Sequence, residues 1–148
     1  MTQRTSTDFI AVHCSATKPS MDWGEDQIRA SHLAQGWEDI GYNCVIKRDG
    51  TIQIGKHPDD VGAHVKGFNH RSLGICLIGG LDEDGKATTL VTDYPQVQID
   101  ALLLALRFWK RYAPGAYIQG HRDFPKVAKD CPCFDVREWL GEVAPELL

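Results

Sequence analysis

The run Leu73-Gly74-Ile75-Cys76-Leu77-Ile78-Gly79-Gly80 is apolar throughout, and a strand apolar on both faces must be covered on both. That requirement selects an α/β architecture with this run as a central strand. Phe9-Ile10-Ala11-Val12 is a second, shorter apolar run, read as a buried strand that delivers His13 to its C-terminal end. Between 95 and 113 the period changes. Ile99, Leu102, Leu103, Leu106 and Trp109 recur at helical spacing, so one face of a helix packs on the sheet. That helix is entered at Pro95, whose missing N–H costs nothing in a first turn, and Pro114-Gly115 ends it.

The remaining elements follow from local signals. Asp22 and Glu25 have capping-box spacing and Gly36 is a stop signal, which predicts a helix from about Trp23 to Gln35. Tyr42–Arg48 and Thr51–Gly55 flank Asp49-Gly50, the dipeptide of a tight hairpin turn. Alternation along the first of these strands places Tyr42, Cys44 and Ile46 on one face, with Asn43, Val45 and Lys47 on the other. A polar loop spans Asp59–Arg71 and a turn spans Asp82–Lys86; Ala116–Gln119 is a last short strand, and Val136–Val143 a C-terminal helix. The expected fold is a mixed central β-sheet flanked by helices, with residues 1–148 forming one domain.

Composition excludes more than it selects. A net charge of −4 provides no basic stripe for nucleic acid, and no stretch approaches the roughly 20 apolar residues of a membrane span. Met1–Asp8 is polar and the four-residue apolar run after it is too short for the apolar core of a signal peptide, so a cytoplasmic protein without a secretory signal is expected. Five cysteines, an odd number, fit reduced thiols and metal ligation better than a disulfide framework.

Among the candidate ligands, His13 and His121 both sit at the C-terminal end of an expected strand, where ligands gather in sheets of this kind. If those strands are parallel neighbours, the histidines approach each other and the Cys131 loop folds over them. Two nitrogens and one sulfur leave a fourth tetrahedral position for water, which is the mark of a catalytic zinc and points to hydrolysis. A histidine at a strand end is more often an ordinary satisfied polar residue, however, and His64, His70 and Asp123 remain open as alternative ligands. Cys14, Cys44 and Cys76 read as plain buried thiols.

Several motifs occur in order: Val12-His13-Cys14-Ser15-Ala16-Thr17; Gly41-Tyr42 with Lys47-Arg48-Asp49-Gly50; Val61-Gly62-Ala63-His64-Val65-Lys66-Gly67-Phe68-Asn69-His70; Ser72-Leu73-Gly74-Ile75; and Lys129-Asp130-Cys131-Pro132. Together they closely resemble the zinc-dependent N-acetylmuramoyl-L-alanine amidases of the bacteriophage lysozyme and peptidoglycan-recognition-protein type, over about Asp8–Trp139. The resemblance implies a zinc-bearing groove for a muramyl peptide, with His13, His121 and Cys131 as ligands and Tyr42 and Lys129 as catalytic residues. It also implies that His64 and Asn69 line the substrate groove. Asn43 stands where such proteins usually have His, and Cys133 where they commonly have a small residue. The implied activity is hydrolysis of the amide between N-acetylmuramic acid and L-alanine, by a monomeric phage or prophage endolysin held in the host cytoplasm until lysis. Two other readings are a non-catalytic peptidoglycan-recognition module and a regulator that binds and inhibits phage RNA polymerase, the latter compatible with the amidase.

Overall fold

The computed structural model describes residues 2–148. Its middle strand is β4 (Ser72–Leu77), buried along its whole length as the apolar run requires. With β1 (Phe9–Cys14), β2 (Cys44–Ile46), β3 (Ile52–Ile54) and β5 (Tyr117–Gly120) it forms one five-stranded sheet in the order β3-β2-β4-β1-β5. The sheet is mixed: β3 alone is antiparallel, and the other strands run parallel.

Helices cover both faces. On one, α2 (Gln96–Tyr112) and α3 (Val136–Val143) bury Leu102, Leu106, Trp109 and Leu140 against Ile10, Val12, Leu73, Ile75 and Leu77. On the other, α1 (Glu25–Ala34) packs Ile28 against Val45, Cys76 and Ile78, while Val65 and Phe124 close over Ala11. Alternation along β1 therefore sends Ile10, Val12 and Cys14 toward α2 and turns Ala11 and His13 to the opposite face. The helix ends have identifiable stops. Lys110 and Arg111 complement the C-terminal dipole of α2, and the Asp135 carboxylate caps α3 by accepting from the Glu138 N–H at 3.0 Å. No helix among the described residues is long and apolar enough to cross a membrane.

Three local expectations are corrected. Helix α1 starts at Glu25, because the Gln27 side chain accepts from the Gly24 N–H at 2.8 Å and Gln53, from β3, accepts from the Glu25 N–H at 2.7 Å. Asp22 plays no part in that cap. The hairpin turn has a three-residue loop, Arg48-Asp49-Gly50, closed by Lys47 N–H to Thr51 O at 2.9 Å, with only Gly50 at positive φ (+89°). Tyr42 packs with Val45, Cys76 and Ile78 and not with Cys44 and Ile46. The alternation fails there because Asn43 is spent on backbone groups: its carboxamide oxygen accepts from Gly74 N–H at 2.9 Å, and its nitrogen donates to the Lys56 and His57 carbonyls.

Two leucines on α2 check this packing. Leu102 is fully buried and Leu104 is 64% exposed. Leu102→Ala should cost about 2–5 kcal/mol of unfolding free energy in a urea titration, whereas Leu104→Ala should stay within about 0.5 kcal/mol of the parent.

Candidate metal centre

Strands β1 and β5 pair in parallel with Val12 opposite Gly120, so the next residues, His13 and His121, leave the same edge of the sheet side by side. Their rings are 4.5 Å apart between centroids. The turn that follows β5 is closed by Asp123, which accepts from the Gly120 N–H at 3.0 Å. Cys131 arrives from a loop tied down at two points, Arg122 N–H to Cys131 O and Tyr94 Oη–H to Pro132 O, both 2.8 Å. The Cys14 backbone N–H donates to the Cys131 Sγ at 3.1 Å, a bond that favours the thiolate.

One donor atom from each of His13, His121 and Cys131 lies within 4.8 Å of the other two, and the described residues hold no other such group of three. A tetrahedral zinc with ordinary Zn–N and Zn–S bonds keeps its ligand atoms roughly 3.3–3.6 Å apart. The cluster therefore fits a zinc with small side-chain adjustments and leaves one coordination position open. Of the alternative ligands, His70 is exposed and Asp123 is committed to its turn, and neither joins the cluster.

Electrostatics keep the imidazoles neutral, as ligation requires. Burial, and then the neighbouring His64, His121 and Lys129, hold the His13 pKa well below its ordinary value; His121 is lowered by burial and by Lys129. His64 stands behind His13, with its Nδ1 2.9 Å from His13 Nε2 and its own Nε2 3.3 Å from the Ser72 carbonyl oxygen. Burial pushes its pKa down to about 4. Asn69 fixes this segment, its side-chain oxygen accepting from the backbone N–H groups of His64 and Val65 at 2.8 Å each.

Two concavities meet over the cluster and share Trp37, His121 and Lys129. One, of about 550 Å³, passes Tyr42, Trp23 and Cys131; the other, of about 960 Å³, passes His64, Asn69, Phe68 and Val127. Tyr42 and Lys129, expected as catalytic residues, border these concavities, as do His64 and Asn69, expected to line the groove. Tyr42 lies with its ring centroid 5.1 Å from that of His13. Burial, followed by the Cys76 and Cys131 thiols, pushes its phenol well above the usual tyrosine range, so it remains protonated at neutral pH.

Sequence reasoning passed over one feature of this region. Trp37 lies against both arms of the groove and is 38% exposed; a tryptophan directly after a helix-stopping glycine was the signal available. Cys133, which departs from the family pattern, is buried. Its backbone turns through positive φ and buries the side chain, with Sγ 4.0 Å from that of Cys14.

Comparison with known proteins gives this geometry a context. A family described as N-acetylmuramoyl-L-alanine amidase matches residues 3–134. The endolysin of Escherichia phage T7 is 45% identical over 137 residues, 93% of this chain and 87% of that one. The endolysin of Klebsiella phage KP32 is 44% identical over 138 residues, covering 93% and 88%. Among solved structures, the endolysin amidase LysCS from Clostridium intestinale URNW superposes with a TM-score of 0.75 at 25% identity, over 96% of this chain and 90% of that one.

The donor set predicts a clear loss. Cys131→Ala should weaken zinc binding by more than about 100-fold, beyond the 10–100-fold usual for losing an outer-shell partner. Zinc content after dialysis against a mild chelator reads this directly, and stoichiometric zinc in that variant would remove Cys131 from the site.

Proposed function

The chain belongs to the N-acetylmuramoyl-L-alanine amidase family, and we propose that its groove seats a muramyl peptide over a zinc ion held by His13, His121 and Cys131. The reaction is hydrolysis of the amide between N-acetylmuramic acid and L-alanine in peptidoglycan, and the role is that of an endolysin. The observation that carries the zinc reading is the three-donor cluster at the floor of a continuous groove. A helix long and apolar enough to cross a membrane is absent from the described residues, and we place the protein in the host cytoplasm as a monomer until the membrane is opened.

Zinc, when bound, supplies Lewis acidity toward the amide carbonyl and makes a water nucleophile available near neutral pH. The chain's own residues supply the rest. Neutral His13 and His121 present lone pairs, and the Cys14 N–H holds the Cys131 sulfur in place. Lys129 is exposed at the junction of the two arms, where its ammonium meets the oxygen on which negative charge grows as the amide carbon becomes tetrahedral. Tyr42, on the other wall, is kept protonated. Its phenol is suited to donating a hydrogen bond or a proton to the departing amine, not to serving as the base. Trp37, His64 and Asn69 bound the space for glycan and stem peptide.

Purified peptidoglycan treated with the zinc-loaded protein should yield new L-alanine amino termini without new reducing ends, and chelation should stop the release until zinc is restored. Lys129→Ala should retain zinc and lower kcat about 10²-fold. No amine release under any metal condition, with the wall still bound, would make the protein a recognition module. Inhibition of phage RNA polymerase, the alternative reading that is compatible with the amidase, is tested separately by transcription at saturating protein, where an unchanged rate removes it.

A further inference from the structure

Both nitrogens of His64 are engaged inside the protein. Nε2 faces the Ser72 carbonyl oxygen at 3.3 Å, and a carbonyl only accepts, so Nε2 carries the hydrogen. In a neutral imidazole Nδ1 is then an acceptor, and the atom facing it at 2.9 Å, His13 Nε2, must be the donor. The hydrogen of His13 is thereby placed on Nε2, which leaves Nδ1 with the free lone pair. Because Nε2 is taken, Nδ1 is also the nitrogen available to a metal.

The fold builds a slot for this ring. A Cβ on Gly74 would fall 2.7–2.9 Å from three His64 ring atoms, and one on Gly62 would fall 3.0 Å from His64 Cδ2. Gly74 lies opposite Ala11 in the β1–β4 register, one step along the same face from the Cys76 that pairs with His13. Asn69 fixes the His64 backbone from the loop side. An imidazole used only to line a groove would need neither the glycine clearance nor an internal partner for each nitrogen.

We propose that His64 is a positioning residue for the metal site: it accepts from His13 Nε2–H, donates to Ser72 O, and so fixes His13 as the Nδ1 ligand. This assignment rests on the zinc reading for its purpose and on the hydrogen-bond geometry for its existence. A partner of this kind orients the ligating ring and raises its basicity, and losing one typically costs 10–100-fold in metal affinity.

Two measurements test it. In metal-free wild-type protein, nitrogen-15 NMR of the histidine rings should show His13 protonated at Nε2 and His64 protonated at Nε2; a His13 ring protonated at Nδ1 would overturn the proposal without any variant being made. In chelator competition, His64→Phe, which fills the slot without an acceptor, should lower zinc affinity about 10–100-fold. His64→Asn, whose side-chain oxygen stands near the former Nδ1 position, should recover most of that loss. Wild-type zinc affinity in His64→Phe would contradict the proposal, as would equal losses in the two variants. If wild-type protein shows the stated tautomers and binds no zinc, the relay stands and the zinc reading fails.

Discussion

The parallel pairing of β1 with β5 is the constraint on which the rest of the site depends. With Val12 opposite Gly120, the first residues beyond the shared ladder are His13 and His121, and no freedom remains for them to part. A one-residue slip would turn His13 to the α2 face, among Ile10, Val12 and Leu102, where an imidazole has no partners. The same register orders Cys14, whose outward N–H meets the Cys131 sulfur. Three donor residues from sequence-distant segments are thus brought together, two by one strand and its neighbour and the third, Cys131, by a loop anchored through hydrogen bonds from Arg122, Tyr94 and Cys14.

Burial then does chemical work on what the register has placed. His13 is 1% exposed, which holds it neutral and obliges each ring nitrogen to find a use. One nitrogen faces His64, and the other is the one available to the proposed metal. Tyr42, in the same enclosure, is kept a phenol, whereas the Lys129 side chain is exposed at the rim. Donor, acceptor and cation are therefore separated by depth within one groove.

Much of this was legible in the sequence because it depends on short-range pattern. The uninterrupted apolar run announced a covered central strand, the 3.6-residue stripe announced α2, and the C-terminal helix was read over the same Val136–Val143 that α3 occupies. The local errors have a common cause in partners supplied from a distance. Gln53 from β3 helps set where α1 begins, and Asn43 disturbs the face assigned to Tyr42 by bonding to Gly74 and to the 56–57 backbone. His64 is the strongest case. Sequence marked it as a groove residue, and its contact with His13 spans 51 positions, beyond the reach of any periodicity. The glycines that make room for its ring read in isolation as ordinary strand and loop residues.

The central claim is that one open zinc site is built from His13, His121 and Cys131. X-ray absorption at the zinc edge of the loaded protein tests it most directly, because sulfur and nitrogen scatter at separable distances. The account predicts one sulfur at about 2.3 Å, two imidazole nitrogens at about 2.0–2.1 Å and one further light atom from solvent. A shell with two or more sulfurs, drawing in Cys14 or Cys133, would describe a closed structural site and contradict the account.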